Sequence, residues 1–292
     1  MTAFDDFIEL LRLKVDIYHN AKVCGDWLIQ EHEPGSTCFH VVTTGSCMLD
    51  VPGHIKTELY EGDLIIFPKE LEHKLWPVHP QEGEQAHLEY QSRRSGTGLL
   101  CGGLKVSHLH QNKLLDAMPS VLLIRSGDST PWLKKLTKLL VSESTQYQTM
   151  HSSILNRLSE LLFIYALRHY LQGSSTQASL LSLYIDPKIS KALQAFHNTL
   201  SDKWSLASLA KVAGMSRTAF VKAFKDVSGW TANEYMIWWR LQSAWELLTQ
   251  GYSVSAAAAE VGYLSEGAFS RAFKKEFGIG AGKVRKLDLS EV

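Results

Sequence analysis

The sequence predicts an α+β chain of more than one domain. It places a small antiparallel β-barrel in front, linking helices in the middle and an all-α double helix-turn-helix at the C-terminal end. Three observations carry this. Short apolar runs broken by Gly and Pro fill the stretch from about Lys22 to Leu104. Beyond Lys113 apolar residues recur at three- and four-residue spacing, the period of amphipathic helices. The last third holds two copies of one helical unit, 49 residues apart. A length of 292 residues suits two domains rather than one, and 45% apolar with 21% charged residues is the balance of an ordinary globular protein.

Charge narrows the function. Lys and Arg number 30, as do Asp and Glu, which excludes a simple polybasic nucleic-acid binder. The balance is uneven, however: residues 186–292 carry 14 basic and 10 acidic side chains, so the back is +4 and the front −4. That asymmetry suits a sensing or assembly module joined to a module for a polyanion. No stretch approaches the roughly 18 apolar residues of a membrane span. Asp5, Asp6 and Glu9 give the N-terminus the wrong charge for a secretory signal. Four cysteines are too few for a disulfide scaffold, so a cytoplasmic protein with thiols free for metal or redox chemistry is expected.

In the front region, Trp27-Leu28-Ile29, Phe39-His40-Val41-Val42 and Leu64-Ile65-Ile66-Phe67 are the expected strands. Turn signals at Pro34-Gly35, Gly45, Pro52-Gly53 and Glu61-Gly62-Asp63 separate them. Helices are expected over Trp132–Val141 and Ile154–Leu171. Leu155, Leu158, Leu161, Leu162, Tyr165 and Leu167 crowd one side of the second, either as core contacts or as a dimer seam. Gly173-Ser174-Ser175-Thr176-Gln177 is a flexible connection. The expected domains are a barrel over 1–112, a helical dimerisation and linker region over 113–185, and a helical domain built on the repeat over 186–292.

In the repeat, Ala210, Val212, Ser216, Ala219, Phe220, Ala223, Phe224, Lys225 and Gly229 match Ala259, Val261, Ser265, Ala268, Phe269, Ala272, Phe273, Lys274 and Gly278. Lys222 falls on Arg271. Two copies are too few for a solenoid, but each reads as helix, tight turn, helix. Ser205 caps the first helix, Gly214 breaks it and Ser216 caps the next. In the second copy Val254–Val261 is the first helix, Gly262 the break and Ser265 the cap. The second helix of such a unit lies in the DNA major groove. At about 100° per residue Phe220 and Phe224 share an inner face. Thr218, Lys222 and Lys225 point away, with Val221 at the margin and Arg217 beside them. In the second copy Gly267, Arg271, Lys274 and Lys275 face outward, with Glu266 and Ser270 flanking. Outward cations opposite a buried aromatic pair can reach base edges or phosphates.

Trp204 to Lys286 resembles the DNA-binding domain of AraC/XylS-type bacterial regulators. Its best marker runs from Val261-Gly262-Tyr263 through Ala268-Phe269-Ser270-Arg271-Ala272-Phe273-Lys274-Lys275 to Phe277-Gly278. The resemblance implies seven helices in two halves joined by a long helix, here Ala232 to Leu248. It also implies promoter DNA as target, a homodimer and contact with RNA polymerase, activation being the commoner outcome. One departure is Gly280-Ala281 and Val284 before Arg285, where the family has Ser-Pro and an aromatic; the last helix is therefore capped less firmly.

The front resembles the cupin-type sensing half of the same regulators. Gly62, Pro68 and His73 follow the second cupin signature, with Glu70 at a place where Gly is preferred. Cys38-x-His40 stands where the first signature has His-x-His, and no Glu follows. A cupin metalloenzyme is disfavoured, because a hard-metal site needs more oxygen and imidazole ligands. Three readings stay open: a barrel that only dimerises, one that takes a small organic inducer, and a soft-ligand site. For the last, Cys24, His40, His73 and Cys101 form a zinc-like set of two thiolates and two imidazoles. The arrangement is similar to the branch of the family that senses reactive chlorine and other oxidants. His54, His79, His87, His108 and His110 fall in expected loops, and Cys47 in the core. The expectation is a DNA-binding transcriptional regulator, not an enzyme.

Overall fold

The computed structural model describes residues 2–11, 13–30, 37–69, 71–79, 82–88, 95–106, 118–127, 131–146, 152–173 and 179–285. Nine strands form two antiparallel sheets among them. The first has the order β7-β1-β8-β2-β5-β9 and the second β4-β3-β6. The strands are β1 Leu13–Cys24, β2 Thr37–Thr44, β3 Ser46–Val51, β4 Ile55–Tyr60, β5 Leu64–Phe67, β6 Lys74–Trp76, β7 Ala86–Leu88, β8 Thr97–Val106 and β9 Leu122–Ile124.

Strand alternation decides which side chains meet between the sheets. On β3, Cys47, Leu49 and Val51 point inward while Ser46, Met48 and Asp50 point out. They pack with Val23, Cys38, Val42, Ile65, Phe67, Leu99 and Cys101 of the facing sheet, Trp27 among them. β2 is buried nearly throughout, because helix α2 (Pro131–Gln146) covers its other side. That accounts for a strand which reads as a continuous apolar run. Helix α3 (Ser152–Gly173) buries Leu155, Leu162 and Leu167, leaves Leu158 and Tyr165 half-buried and exposes Leu161. Gly62 turns β4 into β5 at φ 86°, and a Cβ there would lie 2.9 Å from the Ser126 side chain. The neighbouring Asp63 is buried and pairs with Arg125 at 2.8 Å, which ties the turn to the chain after β9.

Two expected features of the front differ. Trp27-Leu28-Ile29 is not a strand; only Ile29 bridges, to Leu75. Trp27 instead buries its ring in the core. The first strand begins earlier than the texture suggests, at Leu13. The Pro34-Gly35 turn lies outside the described residues.

The helical region follows the repeat. Helix α4 spans Ile189–Asn198, α5 Leu206–Val212, α6 Arg217–Ser228, α7 Ala232–Thr249, α8 Val254–Glu260, α9 Glu266–Phe277 and α10 Ala281–Val284, with a 3-10 turn at Leu180–Tyr184 before them. Ser205, Ser216, Ser253 and Ser265 each accept a backbone N–H at a helix start. Gly229 and Gly278 close α6 and α9 in the left-handed conformation. Gly280 caps α10 without a side chain, as expected from its departure from the family pattern. Phe220, Phe224, Phe269 and Phe273 are fully buried.

Chain contacts divide the described residues into two compact units, those within 13–170 and those of 2–11 with 171–285. Helix α1 (Ala3–Leu11), which sequence order places with the barrel, packs against α4, with Phe7 and Leu11 buried and Phe7 4.6 Å from the Tyr184 ring. Helices α2 and α3 belong with the strands. No helix of the described residues is long and apolar enough to cross a membrane.

Candidate functional site

The surfaces of α6 and α9 carry the residues expected to meet DNA. Arg217, Thr218, Lys222 and Lys225 are exposed on α6, as is Val221. Glu266, Gly267, Arg271, Lys274 and Lys275 are exposed on α9, and Ser270 is half-buried. Helix period alone forces this division: with both phenylalanines of each helix in the core, residues about 180° around from that stripe, such as Lys222 and Arg271 two positions from their phenylalanines, face solvent. Among the described residues, none of the six cations is drawn into an ion pair, so each helix offers uncompensated positive charge. Such side chains are free to take phosphate oxygens or base edges.

The barrel interior gathers a second group. Cys38 and His40 alternate on β2 and therefore share its inner face; His73 enters from the residue just before β6. All three are buried, and one ligand atom from each lies within 4.8 Å of the other two. His73 Nδ1 is 2.8 Å from the Leu71 carbonyl. A carbonyl only accepts, so Nδ1 carries the proton and Nε2 presents its lone pair inward. His40 Nε2 stands 2.8 Å from it and donates in the absence of an ion. Phe67 stacks on the His73 ring with centroids 4.1 Å apart, which fixes the ring plane.

Of the four residues expected as ligands, the fold brings His40 and His73 together and not the two cysteines. Cys24 follows the core residue Val23, so alternation turns it to the other face of β1, where its thiol donates to the Ala86 carbonyl at 3.6 Å. Cys101 stands directly across from His40 on β8 but outside the three-residue group. Cys38 completes that group. Its signal was already in the sequence, as the residue standing where the first cupin signature has a histidine.

Burial controls the remaining thiols. It pushes Cys101 well above the usual thiol range, with Cys38 and Cys47 adding to the effect. Cys47, a core residue as expected, is pushed up to about 12 by burial, then by Asp63 and Glu58. Both remain protonated and poorly nucleophilic near neutrality. His54 and His79 are exposed. His87 is not in a loop but on β7, opposite Val23, and His108 and His110 lie outside the described residues.

Comparison with known proteins agrees with this division. A family model described as Cupin matches residues 3–172, and one described as Helix-turn-helix domain matches residues 209–287. An uncharacterized HTH-type transcriptional regulator of Haemophilus influenzae is 30% identical, covering 98% of this chain and 99% of that one. The RCS-specific HTH-type transcriptional activator RclR of Escherichia coli is 28% identical over 91% of each chain. Among solved structures, unsaturated-fatty-acid-bound ToxT from Vibrio cholerae aligns with 95% of this chain and 96% of its own, at 14% identity and a TM-score of 0.39.

Proposed function

Because the chain belongs to the AraC-type helix-turn-helix transcriptional regulators with a cupin domain, we propose that it passes an oxidant signal to promoter DNA through a zinc-like ion held by Cys38, His40 and His73. The observation that carries this reading is the convergence of one thiol and two imidazoles inside the barrel. Sulfur and nitrogen donors suit zinc and exclude magnesium or calcium on grounds of softness. The two Nε2 atoms would have to part from 2.8 Å to roughly 3.3 Å, the separation that tetrahedral geometry imposes at Zn–N distances of about 2.0–2.1 Å. Small ring tilts provide that. A bound ion would hold Cys38 as its thiolate.

The thiolate is what an oxidant meets. With hypochlorous acid, Cys38 sulfur gives up two electrons, chloride leaves and a sulfenic acid forms. Condensation with the Cys101 thiol, slow while burial holds that thiol protonated, would expel water and give a disulfide. Cys38 faces Gly103 and Cys101 faces His40, so the two cysteines are diagonal neighbours, with Cα atoms roughly 7–8 Å apart. A disulfide spans at most about 6.8 Å. Closing it would shift β2 against β8, and a conformational bias of a few kcal/mol suffices for a switch. The RCS-specific function of the Escherichia coli relative supports an oxidant as the signal.

The regulator acts as a homodimer on promoter DNA and activates by contact with RNA polymerase. Exposed Leu139, Ile154 and Leu161 on α2 and α3 support self-association. Elemental analysis of full-length protein purified without chelator tests the site. About one ion per chain is expected in the wild type and in Cys24→Ser, loss in Cys38→Ser and His73→Ala, and release from the wild type by hypochlorite. Metal-free wild-type protein whose thiols resist hypochlorite would overturn the proposal.

A further inference from the structure

We propose that Leu264 is a base-reading residue of the second helix-turn-helix, contacting the 5-methyl group of a thymine next to the base pair that Arg271 reaches. This rests on α9 being a groove-entering helix. It adds a specificity determinant that lies outside the outward face of the helix itself.

Leu264 is 92% exposed, beyond any other large apolar side chain among the described residues. Single exposed leucines are ordinary, but the position of this one is not. It immediately precedes Ser265, the N-cap of α9, and the N-terminal end of a recognition helix is the part that meets base edges. Gly267 in the first turn presents no side chain. A Cβ there would lie 3.6 Å from Arg271 Nη1 and 3.7 Å from Ser265 Oγ. The guanidinium of Arg271 therefore leans back over residue 267 toward the cap, as helical side chains do, and the empty place at Gly267 lets it. A cation and an apolar side chain are thus presented at the same end of one helix.

The two copies of the repeat differ at this place. The counterpart of Leu264 is Met215, which is half-buried, and those of Glu266 and Gly267 are Arg217 and Thr218. The first copy offers a polar, cationic edge, whereas the second offers an apolar side chain, a gap and one arginine. In the major groove, apolar side chains recognise the thymine methyl and arginine recognises guanine O6 and N7. The same helix carries Lys274 and Lys275 without ion-pair partners among the described residues, so its charge complements a polyanion rather than another protein. Glu266, beside Leu264, disfavours close approach of a phosphate and can accept from cytosine N4.

The test uses the full-length protein. In vitro selection from randomised duplexes gives the bound sequence for the wild type, Arg271→Ala, Leu264→Ser and Leu264→Met. Each thymine of the selected site is then replaced by uracil, which removes only the methyl group. At one thymine the wild type and Leu264→Met should lose about fourfold in affinity, the value of one buried methyl-sized group. Leu264→Ser should be indifferent to that replacement, and Arg271→Ala should relax a guanine preference nearby. If Arg271→Ala weakens binding but no uracil distinguishes wild type from Leu264→Ser, the inference falls while α9 stays in the groove. If neither Arg271→Ala nor Leu264→Ser changes affinity or the selected sequence, the groove assignment falls with it. Unchanged DNA binding by Leu264→Ser with lost transcription from purified polymerase would make Leu264 a protein contact, and also overturns the proposal.

Discussion

Lys222 on α6 and Arg271 on α9 occupy the same place in the repeat, each exposed and opposite a fully buried phenylalanine pair. Replacing either by Ala should weaken promoter binding in a way that identifies its contact. A base reader costs about 1–3 kcal/mol and relaxes one position, while a phosphate contact lowers the salt slope by about 1. Titrations at several salt concentrations separate the two, and no change in either quantity would remove the residue from the interface. Phe220→Ala and Phe269→Ala should act through packing instead, with losses of about 3–5 kcal/mol in urea unfolding. Phe269 packs edge-on against Tyr263 and at a tilt against Phe273, with ring centroids 5.3 and 5.4 Å away, and no cation can compensate for that loss. These residues were legible because helix period fixes a side chain's face without knowledge of the rest of the fold. The buried Cys/His group of the barrel was only half legible. His40 and His73 followed from their signature and strand phase, but choosing between Cys24, Cys38 and Cys101 needs the phase of three different strands.

At the scale of elements, α1 went unread in the sequence, although its period is there. Ala3, Phe7 and Leu11 recur at four-residue spacing and are its buried residues. Their partner, α4, lies nearly two hundred residues further on, a distance that no local period encodes. A hydrogen-bonded chain fastens the contact. Asp6 only accepts when ionised, so His197 Nδ1 donates to it at 3.1 Å and His197 Nε2 accepts from the Tyr235 hydroxyl at 2.9 Å. That hydroxyl in turn accepts from Tyr184 at 2.9 Å. Asp6→Ala leaves a buried imidazole donor unsatisfied and should cost about 1–3 kcal/mol, with faster amide exchange across α1. Unchanged exchange would show that Phe7 and Leu11 alone hold the helix. Strand β1 starts in plain alternation, with Leu13 and Val15 buried and Lys14 and Asp16 exposed, but the run is short. Its pairing with β8 slips between Ile17 and His19, and beyond that bulge the alternation on which a strand reading depends is lost.

For the molecule as a whole, each compact unit contains a histidine kept neutral by burial, and the sign of the pH dependence follows. On β1, burial and then the facing His87 lower His19 to about 4, against a smaller opposing effect of its bond to the Ala21 carbonyl; Cys101 is its partner across β8. In the helical unit, burial lowers His197, with Asp6 opposing. Both would titrate near 6.5 in the unfolded chain. Below that value the unfolded state binds more protons than the folded one, so stability rises with pH through this window. The contribution is complete above about 6.5 and is lost as the solution is acidified toward about 4 for His19. Discounted for partial exposure, the His19 share is on the order of 2 kcal/mol. Urea midpoints of the full chain should therefore fall between pH 7.5 and 5. His19→Gln should flatten the fall in the barrel transition, because the titrating group is gone while a polar side chain remains. His197→Gln should flatten the helical transition and also lower its midpoint at pH 7.5, since the ring stacked 3.5 Å from Trp239 is lost at every pH. Midpoints that hold steady or rise on acidification would contradict the burial of both imidazoles as neutral groups.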